Sequence, residues 1–266
     1  MITISNKVLN FEYPKKSTQF SQNEWEARVD LAACYRLVHY YGWTSLVYNH
    51  ITLRVPETQT FLINPFGLMY DEICASNLVL IDIDGNKIGD NNWPINKAGY
   101  LIHSAIHKAR SNDLHCVMHT HEVNSQTLAA SKQEVFPLTQ EGCQFYNRVG
   151  YHDFEGIVLD PSEQERLINS LGKSNHTLLL RNHGLITAGT TATWAFIRHL
   201  HFIRNSEVQL KLMASNADIS HIPNDVMEHT RHQFEGGDAQ AGAATRHPEW
   251  PALLRMLDKI DPNWKT

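Results

Sequence analysis

No apolar run in the chain approaches the roughly 20 residues that carry a helix across a bilayer, so no membrane association is expected. No basic block is present either. The 23 Lys and Arg are interspersed with 28 Asp and Glu, giving a formal net charge of -5. Nucleic-acid binding rests on a clustered positive surface, which this distribution does not supply, so no nucleic-acid partner is expected. The start of the chain lacks the basic-then-apolar pattern of a secretory signal. Cysteine is scarce. Cys34, Cys74, Cys116 and Cys143 show no paired metal-knuckle spacing, and two of them sit in apolar runs, where a buried free thiol is the ordinary state. These absences point to a cytoplasmic protein.

What remains is an ordinary globular composition, 42% hydrophobic and 19% charged over 266 residues, long enough for a large core. Residues 1–20 read as an irregular arm. Ser21 and Glu24 have capping-box spacing, and apolar residues recur at helical intervals from Trp25 to Tyr41. Strands are predicted over 46–55, 60–64 and 78–83, with Asp84-Gly85-Asn86 as a turn, so a small antiparallel meander follows the first helix. From Asn96 onward, helices flank apolar strands. Helices are predicted over 98–110, 125–132, 162–171 (with Ser162 and Glu165 as a capping box) and 191–215. Strands are predicted at 114–119, 157–159, 177–180 and 185–187. The Gly- and Ala-rich stretch from Gln233 to Thr245 reads as a flexible linker, and 250–260 as a short amphipathic helix of the kind that docks on a neighbouring subunit. The domain expectation is therefore an arm (1–20), a main domain (21–216), and a linker with a C-terminal appendage (217–266).

Histidine is abundant, at sixteen residues. The apolar run 114–118 ends in His119-Thr120-His121. Strand side chains alternate faces, so His119 and His121 point the same way if the strand continues through them. Two imidazoles from one strand end make half of a metal site. The best third donor is His183, in the turn Arg181-Asn182-His183-Gly184. Three neutral imidazoles with an open position suit a divalent metal: zinc first, with iron or manganese as alternatives.

Pro94-Ile95-Asn96-Lys97-Ala98-Gly99, the His119/His121 pair, the 181–184 turn and the long helix after it resemble the class II aldolase/adducin family, in its adducin-like bacterial branch. The resemblance covers roughly residues 22 to 216. It implies an α/β fold, a three-layer α/β/α sandwich with a central, largely antiparallel sheet. It also implies a homo-oligomer, commonly a cyclic tetramer with sites near subunit interfaces. In the family's aldolases three histidines hold a divalent metal, and they fall on His119, His121 and His183. A glutamate that serves as acid/base in the sugar-phosphate aldolases falls on Gly99. The residues that cradle phosphate there fall on Asn49, Asn64, Phe66 and Gly67, where Phe66 leaves little room for an anion.

The proton-transfer candidates are Glu141, which follows a predicted strand end, and the loop tyrosines Tyr70 and Tyr151. Asn49, His50, Asn64, Gly67 and Lys97 are the substrate-binding candidates. Asn182 is expected to shape the turn that presents His183, and Gly184 to give it backbone freedom. His103 and His107, four apart on one helix face, are expected to pack or to support the site. The resulting expectation is a metal-dependent lyase acting on a small oxygenated substrate without phosphate, by aldol cleavage or decarboxylation. The alternatives are a non-catalytic adducin-like scaffold and a non-haem iron oxygenase on the same three histidines.

Overall fold

The computed structural model describes residues 11–15, 19–241 and 249–266. Its centre is a seven-stranded sheet in the order β3-β2-β1-β4-β7-β6-β5. The strands are β1 (His50–Arg54), β2 (Phe61–Ile63), β3 (Val79–Ile81), β4 (Cys116–Thr120), β5 (Val149–His152), β6 (Thr177–Leu180) and β7 (Gly184–Gly189). All neighbours run antiparallel except β5 and β6. Helices cover both faces, so the chain is the expected three-layer α/β/α sandwich with a largely antiparallel sheet.

Strand alternation decides which layer each side chain enters. Ile51 and Leu53 of β1, Cys116 and Met118 of β4, Leu179 and Leu185 enter the larger core. That core is closed by α1 (Gln22–Tyr40) and the long helix α5 (Ala192–Ser215). Val117, Leu178, Leu180 and Ile186 face the other way, against α2 (Lys97–Ala109) and α4 (Glu163–Leu171). A short helix α3 (Val123–Ala130) follows β4. The anticipated cap forms at Ser21, which accepts from the Glu24 amide, and Asn96 caps α2 by accepting from the Gly99 amide at 3.2 Å. The turn at Asp84-Gly85 closes around Asp82, whose carboxylate accepts from the amides of Asp84 and Asn86.

Several sequence expectations are corrected. The apolar alternation at 157–159 is not a strand: Ile157 and Leu159 are exposed and only Val158 enters the core. The edge position is taken instead by Val149–His152, parallel to β6. Ser162 does not cap α4 with its side chain; the Asp160 carboxylate accepts from the Ser162 amide at 2.9 Å. The stretch read as a linker is helical as far as Ala241, within α6 (Asn224–Ala241), and the rest of it lies outside the described residues. The C-terminal helix α7 (Glu249–Ile260) docks on its own chain. Trp250, Leu254, Leu257 and Trp264 join the larger core, Arg36 pairs with Asp261 at 2.8 Å, and Ala75 donates to the Trp264 carbonyl.

Candidate metal centre

β4 ends as the chain reaches the sheet's rim. His119, its penultimate residue, is buried on the face covered by α2, and His121 follows just beyond the strand. His183 sits in the tight connection between β6 and β7, and β7 is β4's antiparallel neighbour. The connection is fixed by several contacts. Asn182 takes the left-handed conformation (φ 57°), its amide donates to the Ala129 carbonyl, and Gln126 of α3 donates to the His183 carbonyl at 2.8 Å. Gly184 has a different role from the one expected. Asn182 carries the positive φ, whereas Gly184 is needed for space: a Cβ there would lie 2.5 Å from the Thr120 carbonyl oxygen and 3.0 Å from the His121 ring.

The three rings meet. Their centroids are separated by 4.8, 4.8 and 4.9 Å, and one ligand nitrogen from each lies within 4.8 Å of the others. Among the described residues this is the one grouping of histidine, cysteine or carboxylate side chains placed to hold an ion. His119 Nδ1 lies 3.0 Å from the Leu185 carbonyl, to which it must donate, so Nε2 carries the lone pair. That Nε2 is 2.9 Å from Nε2 of His121. Two imidazole nitrogens facing each other at this distance require a proton or a cation between them. The donor set therefore fits a divalent metal. Burial holds His119 well below the usual histidine range, with the neighbouring histidines adding to the effect. Burial likewise lowers His121, and it brings His183 down to about 4. All three are thus neutral, ligand-competent imidazoles at pH 7.

Next to His119 lies a second histidine cluster that sequence reading resolved only in part. His50 pairs with His119 in the β1–β4 register, and their rings are 5.1 Å apart. His50 Nδ1 lies 2.9 Å from His103 Nε2; His103 Nδ1 is 2.8 Å from Thr52 Oγ1; Thr52 Oγ1 is 2.7 Å from His107 Nε2; and His107 Nδ1 is 3.2 Å from the Leu114 carbonyl. The signal was present in the sequence: His50 and Thr52 share a strand face, and His103 and His107 share a helix face. Burial lowers His50 and His107 to about 3 and holds His103 well below the usual histidine range, so the whole row is neutral.

The other candidates separate. Glu141 opens a short 3-10 turn (Glu141–Phe145), its carbonyl accepts from Gln144, and no described contact joins it to the three histidines. Tyr70 is a core residue rather than a loop proton donor. It is fully buried edge-on against Tyr35, its hydroxyl is unpartnered, and burial pushes its phenol well up. Tyr151 accepts from the Val135 amide and lies under the Arg181 guanidinium, which makes it a brace for the 131–138 loop. Asn64 is also structural. Its Oδ1 accepts from the Tyr35 hydroxyl at 2.9 Å and its amide donates to the Pro65 carbonyl. Asn49 is buried in the left-handed conformation with Oδ1 unpartnered, Gly67 turns in open space at φ 106°, and Lys97 is exposed at the start of α2. Glu122 caps α3, accepting from the amides of Asn124 and Ser125.

A sheet of this topology with three histidines at one rim defines a metal-centre protein of the aldolase type. Residues 29–210 match the Class II Aldolase and Adducin N-terminal domain, and the chain belongs to that family. It is similar to a Pseudomonas aeruginosa protein named for the aldolase class 2 group, at 42% identity over 93% of this chain and 95% of that protein. Alpha-adducin of Rattus norvegicus is 34% identical over 92% of this chain, which corresponds to only 34% of adducin's length. Among solved structures, an aldolase II superfamily protein from Pseudomonas syringae superposes with a TM-score of 0.83 at 40% identity, covering 93% of this chain and 98% of that one.

Proposed function

We propose that the chain is a divalent-metal-dependent lyase whose ligands are His119, His121 and His183, and whose substrate is a small hydroxy-carbonyl compound without phosphate. The carrying observation is the convergence of three neutral imidazoles, with the tautomer of His119 set by the Leu185 carbonyl. A divalent cation held there supplies a Lewis acid that polarises a substrate oxygen and stabilises the negative charge developing as a carbon–carbon bond breaks. Zinc suits three imidazole donors best; iron and manganese fit the same set. His121 and His183 are partly exposed and form the approach, while buried His119 forms the floor.

The absence of phosphate is supported by Asn64. Its side chain is buried and turned inward, against the Tyr35 hydroxyl and the Pro65 carbonyl, rather than outward as an anion cradle would need. The similarity to L-fuculose 1-phosphate aldolase from Glaciozyma antarctica, at 24% identity, concerns the fold (TM-score 0.76). Glu141 keeps a place as the proton carrier only if a second copy of the chain brings it to the site, in keeping with the homo-oligomer the family suggests. Retention of the ligand set favours an enzyme over the scaffold role suggested by the likeness to adducin. Metal analysis of the purified chain tests the reading: one divalent ion per chain, lost in His183→Ala without unfolding, is the expected result. A chain that takes up no ion from zinc, iron or manganese solutions would refute it.

A further inference from the structure

The buried row Leu114–His107–Thr52–His103–His50 has a direction. The Leu114 carbonyl can only accept, so His107 Nδ1 carries a proton and Nε2 does not. Thr52 must then donate its single hydroxyl proton to His107 and accept from His103 Nδ1–H. That leaves His103 Nε2 bare, so it accepts from His50 Nδ1–H. The reverse assignment would set the bare Nδ1 of His107 against a carbonyl oxygen at 3.2 Å, acceptor against acceptor. A doubly protonated ring would avoid that clash, but these rings are buried, His103 and His107 completely, with no carboxylate in the row to balance the charge. The row therefore ends at His50 Nε2 as a lone pair. That atom makes no hydrogen bond among the described residues, and His50 lies outside the set of three that can share one ion. The Cδ2–Nε2 edge rests against Gly99, where a Cβ would come within 2.2 Å.

A second buried row on the opposite face of β4 shows the contrast. Thr120 donates to His199 Nε2 at 2.7 Å, His199 Nδ1–H donates to Thr187 Oγ1 at 2.9 Å, and Thr187 donates to the Ala195 carbonyl at 3.0 Å. Each of its polar atoms is matched. It needs nothing more.

We infer that His50 is a specificity-determining residue whose Nε2, locked as an acceptor beside the three-histidine centre, selects substrates that present a hydroxyl group next to their metal-binding oxygen. This rests on the proposed lyase reading and narrows it to α-hydroxy-carbonyl compounds. An acceptor-only atom binds O–H and repels a bare carboxylate, carbonyl or phosphate oxygen, so it discriminates by the proton.

The test uses the full-length chain with zinc and two probes, hydroxyacetone and its methyl ether methoxyacetone, which keep the same two oxygens and differ in the donor. Hydroxyacetone is expected to bind at least about tenfold more tightly, and His50→Phe is expected to abolish that preference while keeping the zinc stoichiometry. Thr52→Val, which cuts the row and frees the tautomer without touching His50, is expected to reduce the preference; it serves as the readout if His50→Phe does not fold. Nitrogen-15 NMR of the histidine rings gives a measure independent of ligand binding: His50 protonated at Nδ1 and bare at Nε2. A protonated Nε2, equal binding of the two probes by zinc-loaded protein, or a preference undiminished in both variants would each overturn the inference. Failure to take up zinc would instead strike the lyase reading, and the tautomer measurement would then decide the role of His50 alone.

Discussion

Replacing Gly99 by alanine sets helix propensity against packing, and the outcome has a definite sign. Gly99 lies in the first turn of α2, its amide held by the Asn96 cap, so propensity alone favours alanine by at most about 1 kcal/mol. The added methyl group, however, would sit 2.2 Å from both Nε2 and Cδ2 of His50 and 3.0 Å from its Cε1. No rigid accommodation exists at that distance. His50 is pinned on the other side by His103 at 2.9 Å and packs against His119, so it cannot swing clear without breaking the row. Overpacking of a filled core costs about 1–3 kcal/mol, and the lost buried hydrogen bond adds about 1 kcal/mol. The net expectation is a destabilisation of about 1–3 kcal/mol, or a fall in Tm of the order of 2–10 °C for a chain of this size. Urea unfolding followed by circular dichroism measures it, with Ser104→Ala on the same helix as a comparison that leaves the His50 contact alone. An alanine variant as stable as the unmodified chain, or more so, would refute the claim that the His50 ring fills this space.

Acid should unfold the chain early. His107 and His199 are held at about 3 by burial, against an ordinary 6.5, so their contribution to stability is complete above pH 6.5 and is lost as pH falls from there towards about 3. Moving from pH 7.5 to 5.5 should remove about 3 kcal/mol for the pair, read as a lower urea midpoint; an unchanged midpoint would contradict their neutral burial. His199→Phe should cost about 1–3 kcal/mol in the same assay by stranding the Thr120 hydroxyl, and the double variant with Thr120→Val should recover part of it. Gly150→Ala in β5 would place a methyl group 2.2 Å from the Ser170 carbonyl. It should cost about 3 kcal/mol or more, because backbone cannot yield as a side chain can, and a neutral result would put the β5–α4 packing in doubt.

How far the sequence reveals this fold depends on where each element gets its stability. The helices 22–40 and 192–215, the hairpin β1–β2 and the strand at 116–120 carry their own periodicity and caps, and each lies within a few residues of its expected place. Val149–His152 has four residues, one of them Gly150, and is a strand only because β6 lies alongside it. Ile157-Val158-Leu159 has the better pattern but no partner. The glycines at 236 and 237 suggested a linker, yet the helix from Asn224 runs through them, tied at Arg231 and Glu235 to each other and to Arg148. Docking of α7 depends on Trp250 and Trp264 meeting a surface that no local pattern describes. At the site, period-two alternation places His119 with His121. Only the pairing of β4 with β7 brings in His183 from a turn more than sixty residues away; the sequence offered that residue as the best third donor, and the resemblance put it in register with the other two.

The two buried histidine rows make a more general point about reading such residues. Both are built from threonine and neutral imidazole, both are buried, and both lie against β4, one row bonded to Thr120 and the other flanking His119. Composition and burial do not distinguish them. Their ends do. The row through His199 begins at a hydroxyl donor and ends at a carbonyl acceptor, and a row with both ends matched can contribute to stability but has no valence left for a ligand. The row through His50 is anchored at one end by the Leu114 carbonyl, and each bond along it fixes the next, so the unmatched lone pair is driven to the end nearest the three-histidine centre. An unpaired acceptor beside a metal-competent site is free to take a hydrogen bond from a ligand that brings a donor. Gly99 is the residue that lets it be there, because any side chain at that position would occupy the space the His50 ring takes.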